Sequence, residues 1–82
     1  DPAPVTITLG PTSPPFLSFS VTCEAAGFRE QAFFAGGTAT MPGVPRSECA
    51  LYLKGAGAPV KIKVSGGQSL TCGFVGSAPD CH

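Results

Sequence analysis

FLSFSVTC, residues 16–23, alternates apolar side chains with hydroxyl side chains and ends in a cysteine. Side chains on a β-strand point to opposite faces in turn, so residues two apart share a face. The alternation predicts a strand whose serines and threonine face outward. Its inward positions are Leu17, Phe19, Val21 and Cys23. The cysteine sulfur is therefore predicted to point into the same core as the apolar side chains.

Two further cysteines follow the same pattern. Cys49 precedes Leu51 and Leu53 at intervals of two, and Cys72 lies between Leu70 and Phe74. Only Cys81, next to the last residue, lies outside an alternating segment. Four cysteines in a chain of 82 residues indicate two disulfides, and hence an oxidising, extracellular compartment.

Four cysteines allow three pairings. We favour Cys23 with Cys49, which joins two core strands, and Cys72 with Cys81, which ties down the C-terminal tail. The pairing of Cys23 with Cys72 and of Cys49 with Cys81 remains open.

The rest of the chain repeats short strand patterns between turns. Eleven glycines and nine prolines interrupt any helical periodicity. Strand patterns occur at residues 5–9, 16–23, 28–34, 38–41, 48–54, 60–64 and 68–75. This rhythm predicts an all-β fold, a small disulfide-stapled β-sandwich of about seven short strands in one domain, residues 1–82. The Gly66-Gly67 pair predicts a hairpin between residues 60–64 and 68–75.

Charge is unusually sparse. Asp, Glu, Lys and Arg make up 12% of the chain, against roughly 25% in an ordinary soluble domain, and five basic residues balance five acidic ones. Five scattered cations do not follow a phosphate backbone, so we expect no nucleic-acid partner. No apolar run reaches the roughly 20 residues of a membrane span. A small, weakly charged domain is expected to leave apolar surface for an interface, and hence to form a homo-oligomer or polymer.

Nothing in the sequence predicts catalysis. The only histidine, His82, is the last residue, where we expect no surrounding structure to hold it. The five carboxylates are dispersed, at Asp1, Glu24, Glu30, Glu48 and Asp80. The cysteines lack the close pairs of a zinc site and the Cys-x-x-Cys of a redox site. We therefore expect no enzyme, no metal and no cofactor.

Six apolar residues are candidates for a contact surface. Residues 5–9 alternate strictly and are followed by three prolines, so residues 1–15 are interpreted as a strand on a proline-rich leash that pairs with a neighbouring subunit. The adjacent rings of Phe33 and Phe34 face opposite sides of a strand, so at least one is expected to be exposed. Tyr52 is out of phase with its apolar neighbours and is expected to face outward. The candidate interface residues are Val5, Ile7, Leu9, Phe33, Phe34 and Tyr52.

Residues 39–55, ATMPGVPRSECALYLKG, and residues 60–67, VKIKVSGG, resemble small surface PEGA-like β domains. The resemblance covers less than half of the chain and lies mainly in the rhythm of strands and turns. The cysteine pattern is not part of that family's usual signature. The resemblance implies an accessory, non-catalytic domain.

These observations favour a secreted or extracellular structural subunit that self-associates through β-strand contacts into a filament, coat or similar polymer. The start at Asp1-Pro2 without methionine suits a processed secreted product or an excised domain. The alternative is a secreted binding module, such as an adhesin domain or inhibitor, that acts as a monomer through the loop at residues 42–45 on a protein or glycan ligand.

Overall fold

The computed structural model describes all 82 residues and shows two four-stranded β-sheets packed face to face. The all-β sandwich predicted from the sequence is confirmed, with eight strands rather than about seven. The additional strand, β8, is the short tail that carries Cys81. The strands are β1 (Ala3–Leu9), β2 (Ser18–Cys23), β3 (Phe28–Phe33), β4 (Thr38–Val44), β5 (Cys49–Lys54), β6 (Val60–Val64), β7 (Ser69–Val75) and β8 (Ala78–Cys81). A single 3-10 turn, Glu24–Ala26, follows β2.

We call the two sheets A and B. Sheet A has the order β4-β1-β7-β8, and sheet B has the order β3-β2-β5-β6. All pairs are antiparallel except β1 with β7, which are parallel. The chain crosses between sheets four times, after β1, β3, β4 and β6. Strands that neighbour in sequence therefore often lie in different layers.

The core lies between the sheets and is built from the inward positions of the alternating segments. Phe19, Val21 and Cys23 of β2 are fully buried, as the alternation predicts. They face Val5 and Ile7 of β1 across the interior. Because side chains alternate along every strand, the residues between them form the two outer faces of the sandwich.

Both favoured disulfides are present. Cys23 is bonded to Cys49 and Cys72 to Cys81, and no cysteine is free. The loop-entropy model assigns about 3–4 kcal/mol to the bridge that spans 26 residues and about 2.5–3 kcal/mol to the one that spans 9. A domain of this size buries too little surface on folding to be stable without cross-links such as these disulfides.

The hairpin predicted at Gly66-Gly67 is wrong. Strand β6 belongs to sheet B and β7 to sheet A, so the two glycines form a crossover between layers. The Gly66 N–H donates to the Pro45 carbonyl, and a Cβ at Gly66 would overlap the Val44 carbonyl oxygen. Glycine is required there because the backbone of another connection passes too close for any side chain.

Leu17 is also placed differently from the sequence prediction. Strand β2 begins at Ser18, and the position predicted for Leu17 in the core is taken by Phe16, which is buried. The backbone before the strand is irregular, so the two-residue period does not extend to Leu17. As a result Leu17 is 68% exposed.

Strand β4 continues through Pro42 and Gly43, where the sequence predicts a break. The strand lies at the edge of sheet A, so the missing N–H of Pro42 leaves no neighbour unpaired. Gly43 adopts a φ of 71°, and the pairing with β1 shifts register nearby, as at a bulge.

The strand directions sort the connections to two opposite ends of the sandwich. At one end lie the connections β1–β2, β3–β4, β5–β6 and β7–β8 with their flanking residues. We call this the uncharged end and define it as residues 10–17, 33–37, 55–59 and 75–79. At the other lie the remaining connections and the N-terminus, residues 1–2, 24–27, 45–48 and 65–68, which we call the charged end, whereas the C-terminal His82 lies beside Thr71, level with Thr8 of β1.

Candidate interaction surfaces

The uncharged end carries all three of the molecule's exposed large apolar side chains. Leu17, Phe33 and Val75 are exposed by 68%, 69% and 68%. None of the residues that define this end is Asp, Glu, Lys or Arg, whereas the charged end holds Asp1, Glu24, Arg46 and Glu48. By strand alternation Phe33 lies on the outer face of sheet B and Val75 on the outer face of sheet A, so these side chains are candidate contact positions around this end of the sandwich.

Packing holds the uncharged end in shape. The connection from β1 to β2 folds back over β7, where the Phe74 N–H donates to Thr12 Oγ1 at 3.0 Å. The absence of a side chain at Gly73 makes room for Thr12, whose oxygen a Cβ would overlap. The rings of Phe16 and Phe74 stack at 6.4 Å between centroids. The proline-rich segment predicted to reach a neighbour is therefore anchored on its own chain.

Strand β3 presents an open edge next to this end. The Phe34 N–H donates to the Leu17 carbonyl, which sets the alternation of hydrogen bonds between β3 and β2. By that alternation, the N–H and C=O groups of Arg29, Gln31 and Phe33 point away from β2 toward solvent. An open row of such groups is a template for another strand.

The other three edges carry features that discourage pairing. Strand β4 contains Pro42 and the irregular Gly43, and β8 has four residues that include Pro79. Strand β6 carries Lys61 and Lys63. Proline, lysine, bulges and short length are common means of blocking an edge. Strand β3 carries the charged residues Arg29 and Glu30 but has no proline, lysine or bulge, so it is the edge best suited to strand addition.

The N-terminal candidates lie in the core of their own subunit. Strand β1 is an inner strand of sheet A, paired with both β4 and β7, and Val5 and Ile7 are fully buried. Leu9 is half-buried against the same core. Val5 and Ile7 reach another subunit only if β1 leaves this sheet. Exchange of β1 between subunits stays a prediction.

The structure places the three aromatic candidates in three settings. Phe33 is exposed, and Phe34 is half-buried against Phe19 at 5.8 Å between ring centroids. Tyr52 lies on the outer face of sheet B, as its phase predicts, and is half-buried among polar neighbours. Leu17 and Val75 were missed, although the absence of charge from the segments around them is visible in the sequence.

The outer face of sheet B forms a concave surface, which we call the sheet B groove, with a volume of about 970 Å³. Its floor is made by the short side chains Ser20, Thr22 and Ala50 together with Tyr52. Longer side chains rise on the outer strands, with Arg29 and Gln31 on β3 and Lys61 and Lys63 on β6. The side chains of Ser20, Thr22 and Ala50 are shorter than those on the two outer strands, so the outer face of sheet B is concave.

His82 is held more firmly than the sequence predicts. Its backbone exchanges two hydrogen bonds with Thr71, and its Nδ1 lies 3.6 Å from Asp80 Oδ1. Both side chains are more than half exposed. No three His, Cys, Asp or Glu residues lie close enough together to hold a metal ion. No helix has the length and hydrophobicity needed to cross a membrane.

Comparison with protein-family models, with curated proteins and with solved structures finds no match to this chain. The resemblance to PEGA-like β domains and the absence of catalysis stay predictions.

Proposed function

We propose that the protein is an extracellular structural subunit that self-associates, and that the uncharged end is its principal contact surface. The observation that carries the proposal is the concentration of Leu17, Phe33 and Val75 at an end without charge. Burying that surface against a second copy removes apolar area from water at about 25 cal/mol per Å². The two disulfides agree with an extracellular location.

The open edge of β3 supplies a second contact of the same subunit. Two copies of β3 can pair antiparallel around Gln31, which then lies opposite Gln31 of the second copy. In this register Arg29 lies opposite Phe33 of the second copy, and Glu30 opposite Ala32. No like charges meet, and a guanidinium beside a phenyl ring is a favourable pair.

Two different contacts on each subunit account for a polymer. A twofold contact used once closes a dimer, whereas a second contact with a different axis lets the chain of subunits continue. End-to-end contact alternating with β3-to-β3 contact gives an open assembly. This assembly is the filament, coat or similar polymer that the composition favours. It forms through the β3 edge and does not require β1 to leave its own sheet.

Sedimentation velocity over a range of protein concentrations tests the proposal. Val75→Lys places a charge in the end contact, and Gln31→Pro removes an outward N–H from β3. Each single variant is expected to stop at a dimer and the double variant to remain monomeric. Ala25→Lys is the matched control, because it adds the same charge at the exposed turn of the charged end and should assemble like the native protein. A native protein that sediments as a monomer at every concentration contradicts the proposal.

A secreted binding module that acts as a monomer is the second candidate, and the sheet B groove favours it. The groove is concave and is lined mainly by charged and hydrogen-bonding side chains, which suits a polar ligand better than an apolar contact between subunits. A strictly monomeric native protein that binds a ligand on this face is the result that selects this alternative.

A further inference from the structure

Cations are concentrated in the sheet B groove. Four of the five basic residues of the chain, Arg29, Lys54, Lys61 and Lys63, line it. The fifth, Arg46, lies at the charged end and donates to the Asp1 carbonyl. Even in a chain without net charge, one face therefore collects nearly all of the positive side chains.

The groove is not uniformly positive along its length. Three carboxylates, Glu24, Glu30 and Glu48, also line the groove, and Glu48 pairs with Lys63 at 3.3 Å. Toward the uncharged end, Lys54 and Lys61 make no salt bridge within 4.0 Å. Arg29, which lies on the opposite outer strand, makes no salt bridge either, so Lys63 is the only paired cation of the four.

Tyr52 lies between these two lysines. It is directly opposite Lys61 on the neighbouring strand, and Lys54 is two residues further along its own strand on the same face. Directly opposed side chains have Cβ atoms about 4.5–5.5 Å apart. An aromatic ring is therefore flanked by two exposed ammonium groups on the surface of the sheet.

The groups beside Tyr52 are hydrogen-bonding side chains. Ser20 is its partner on β2, and Gln31 lies opposite Ser20 on β3. The Gln31 amide donates to Ser18 Oγ at 3.1 Å, which fixes the amide at the rim of the groove and leaves its carbonyl oxygen free to accept. One row across the sheet thus presents an amide, a hydroxyl, an aromatic ring and a cation.

We propose that the sheet B groove binds an acidic polysaccharide, a chain of sugar rings that carry carboxylate or sulfate groups. A pyranose ring has an apolar C–H face that packs on Tyr52, an anionic group that accepts from Lys61 and Lys54, and hydroxyls that pair with Ser20 and Gln31. The groove lies at the top of the roughly 300–1,000 Å³ range of ligand sites, and its volume of about 970 Å³ accommodates several linked sugar rings.

The same features disfavour other polyanions. A nucleic acid carries one phosphate on every nucleotide and needs a continuous track of cations, whereas the carboxylates Glu24, Glu30 and Glu48 lie among the cations of this groove. An acidic peptide offers no row of ring hydroxyls for Ser20, Thr22 and Gln31. A sugar chain with charges spaced between hydroxyls matches both the charged and the uncharged parts of the surface.

Affinity electrophoresis and calorimetry with polygalacturonate test the proposal, and dextran sulfate in a parallel arm distinguishes carboxylate from sulfate. Methyl-esterified polygalacturonate is the matched ligand control, since it keeps the sugar backbone and loses the charge. We expect binding to at least one of the acidic polymers and at least about tenfold weaker binding to the ester. Equal binding to acid and ester, or no binding to either acidic polymer, overturns the proposal.

Single-residue variants distinguish binding at the sheet B groove from non-specific electrostatic attraction. Lys61→Gln and Tyr52→Ala should each weaken binding about tenfold or more, and Tyr52→Phe should retain most of it because the ring remains. Arg46→Gln removes the same charge outside the groove and should bind like the native protein. An equal loss in Lys61→Gln and Arg46→Gln, or equal binding of poly-glutamate or single-stranded DNA, overturns the proposal. The result is distinguishable from that of self-association, since Val75→Lys tests the end contact and leaves Ser20, Gln31, Tyr52 and Lys61 in place.

Discussion

The two ends of this sandwich are stabilised in different ways and present different surfaces. At the charged end, the bridge from Cys23 to Cys49 links the last residue of β2 to the first residue of β5. Toward the uncharged end, the bridge from Cys72 to Cys81 closes the β7–β8 hairpin, and the β1–β2 connection is held by the stacking of Phe16 on Phe74 and by the Thr12 hydroxyl. The uncharged end is the one that exposes the large apolar side chains.

The charged end is therefore expected to contribute mainly to the stability of the fold, and the uncharged end mainly to contacts with other subunits. The charged end has hydrophilic connections and a covalent staple, so it contributes to folding without needing a partner. The uncharged end leaves Leu17, Phe33 and Val75 exposed to water, which is unfavourable for apolar side chains. Burying them in a contact between subunits removes this unfavourable exposure. The comparison predicts that substitutions at the uncharged end divide into those that affect folding and those that affect association.

The largest expected effect comes from two neighbours at the uncharged end. Phe16→Ala removes a buried ring and should lower the free energy of unfolding by about 3–5 kcal/mol. Leu17→Ala removes an exposed side chain and should change it by less than about 0.5 kcal/mol. Denaturant unfolding of both variants at low protein concentration measures the difference. Similar losses would mean that Leu17 occupies the core after all.

The next effect compares the two disulfides. Replacing Cys23 and Cys49 together by alanine should cost about 3–4 kcal/mol, and replacing Cys72 and Cys81 about 2.5–3 kcal/mol, because the first bridge closes the longer loop. Chemical denaturation of each double variant gives both values. A larger loss from the second pair would show that the tail, rather than the charged end, carries the covalent stabilisation.

The smallest of the three effects contrasts a glycine at each end. Gly66→Ala at the charged end should cost about 1–3 kcal/mol, because the added methyl meets the Val44 and Pro45 carbonyls. Gly57→Ala at the uncharged end has open space around it and should be neutral or stabilising by up to about 1 kcal/mol. Thermal unfolding of the pair provides the measurement. Loss of stability from Gly57→Ala equal to that from Gly66→Ala would show that the two connections are equally constrained.

Local alternation predicted β1 to β7 and the inward positions of their three cysteines, but not β8. The pairing of Cys23 with Cys49 and of Cys72 with Cys81 was favoured from the strands and the tail that carry them, and only the structure decides against the alternative. The layer to which each strand belongs could not be predicted in this way. Gly66-Gly67 has the composition of a hairpin, and only the close approach of the Val44 backbone shows that it is a crossover.

The candidate surfaces were predictable in part. Tyr52 was expected on an outer face because its phase opposes that of Leu51 and Leu53. The groove around it depends on the pairing of β5 with β2 and β6, which no local pattern specifies. The uncharged end likewise gathers four segments that are far apart in the chain, and strand directions alone bring them together.

Nuclear magnetic resonance of the backbone amides at increasing protein concentration tests the central claim most directly. The account predicts concentration-dependent shifts or broadening at the uncharged end and along the β3 edge, at Leu17, Phe33 and Val75 among others. The amides of Glu24, Arg46 and Glu48 at the charged end should stay unchanged. Changes confined to the charged end, or a spectrum that does not vary with concentration, would contradict the account.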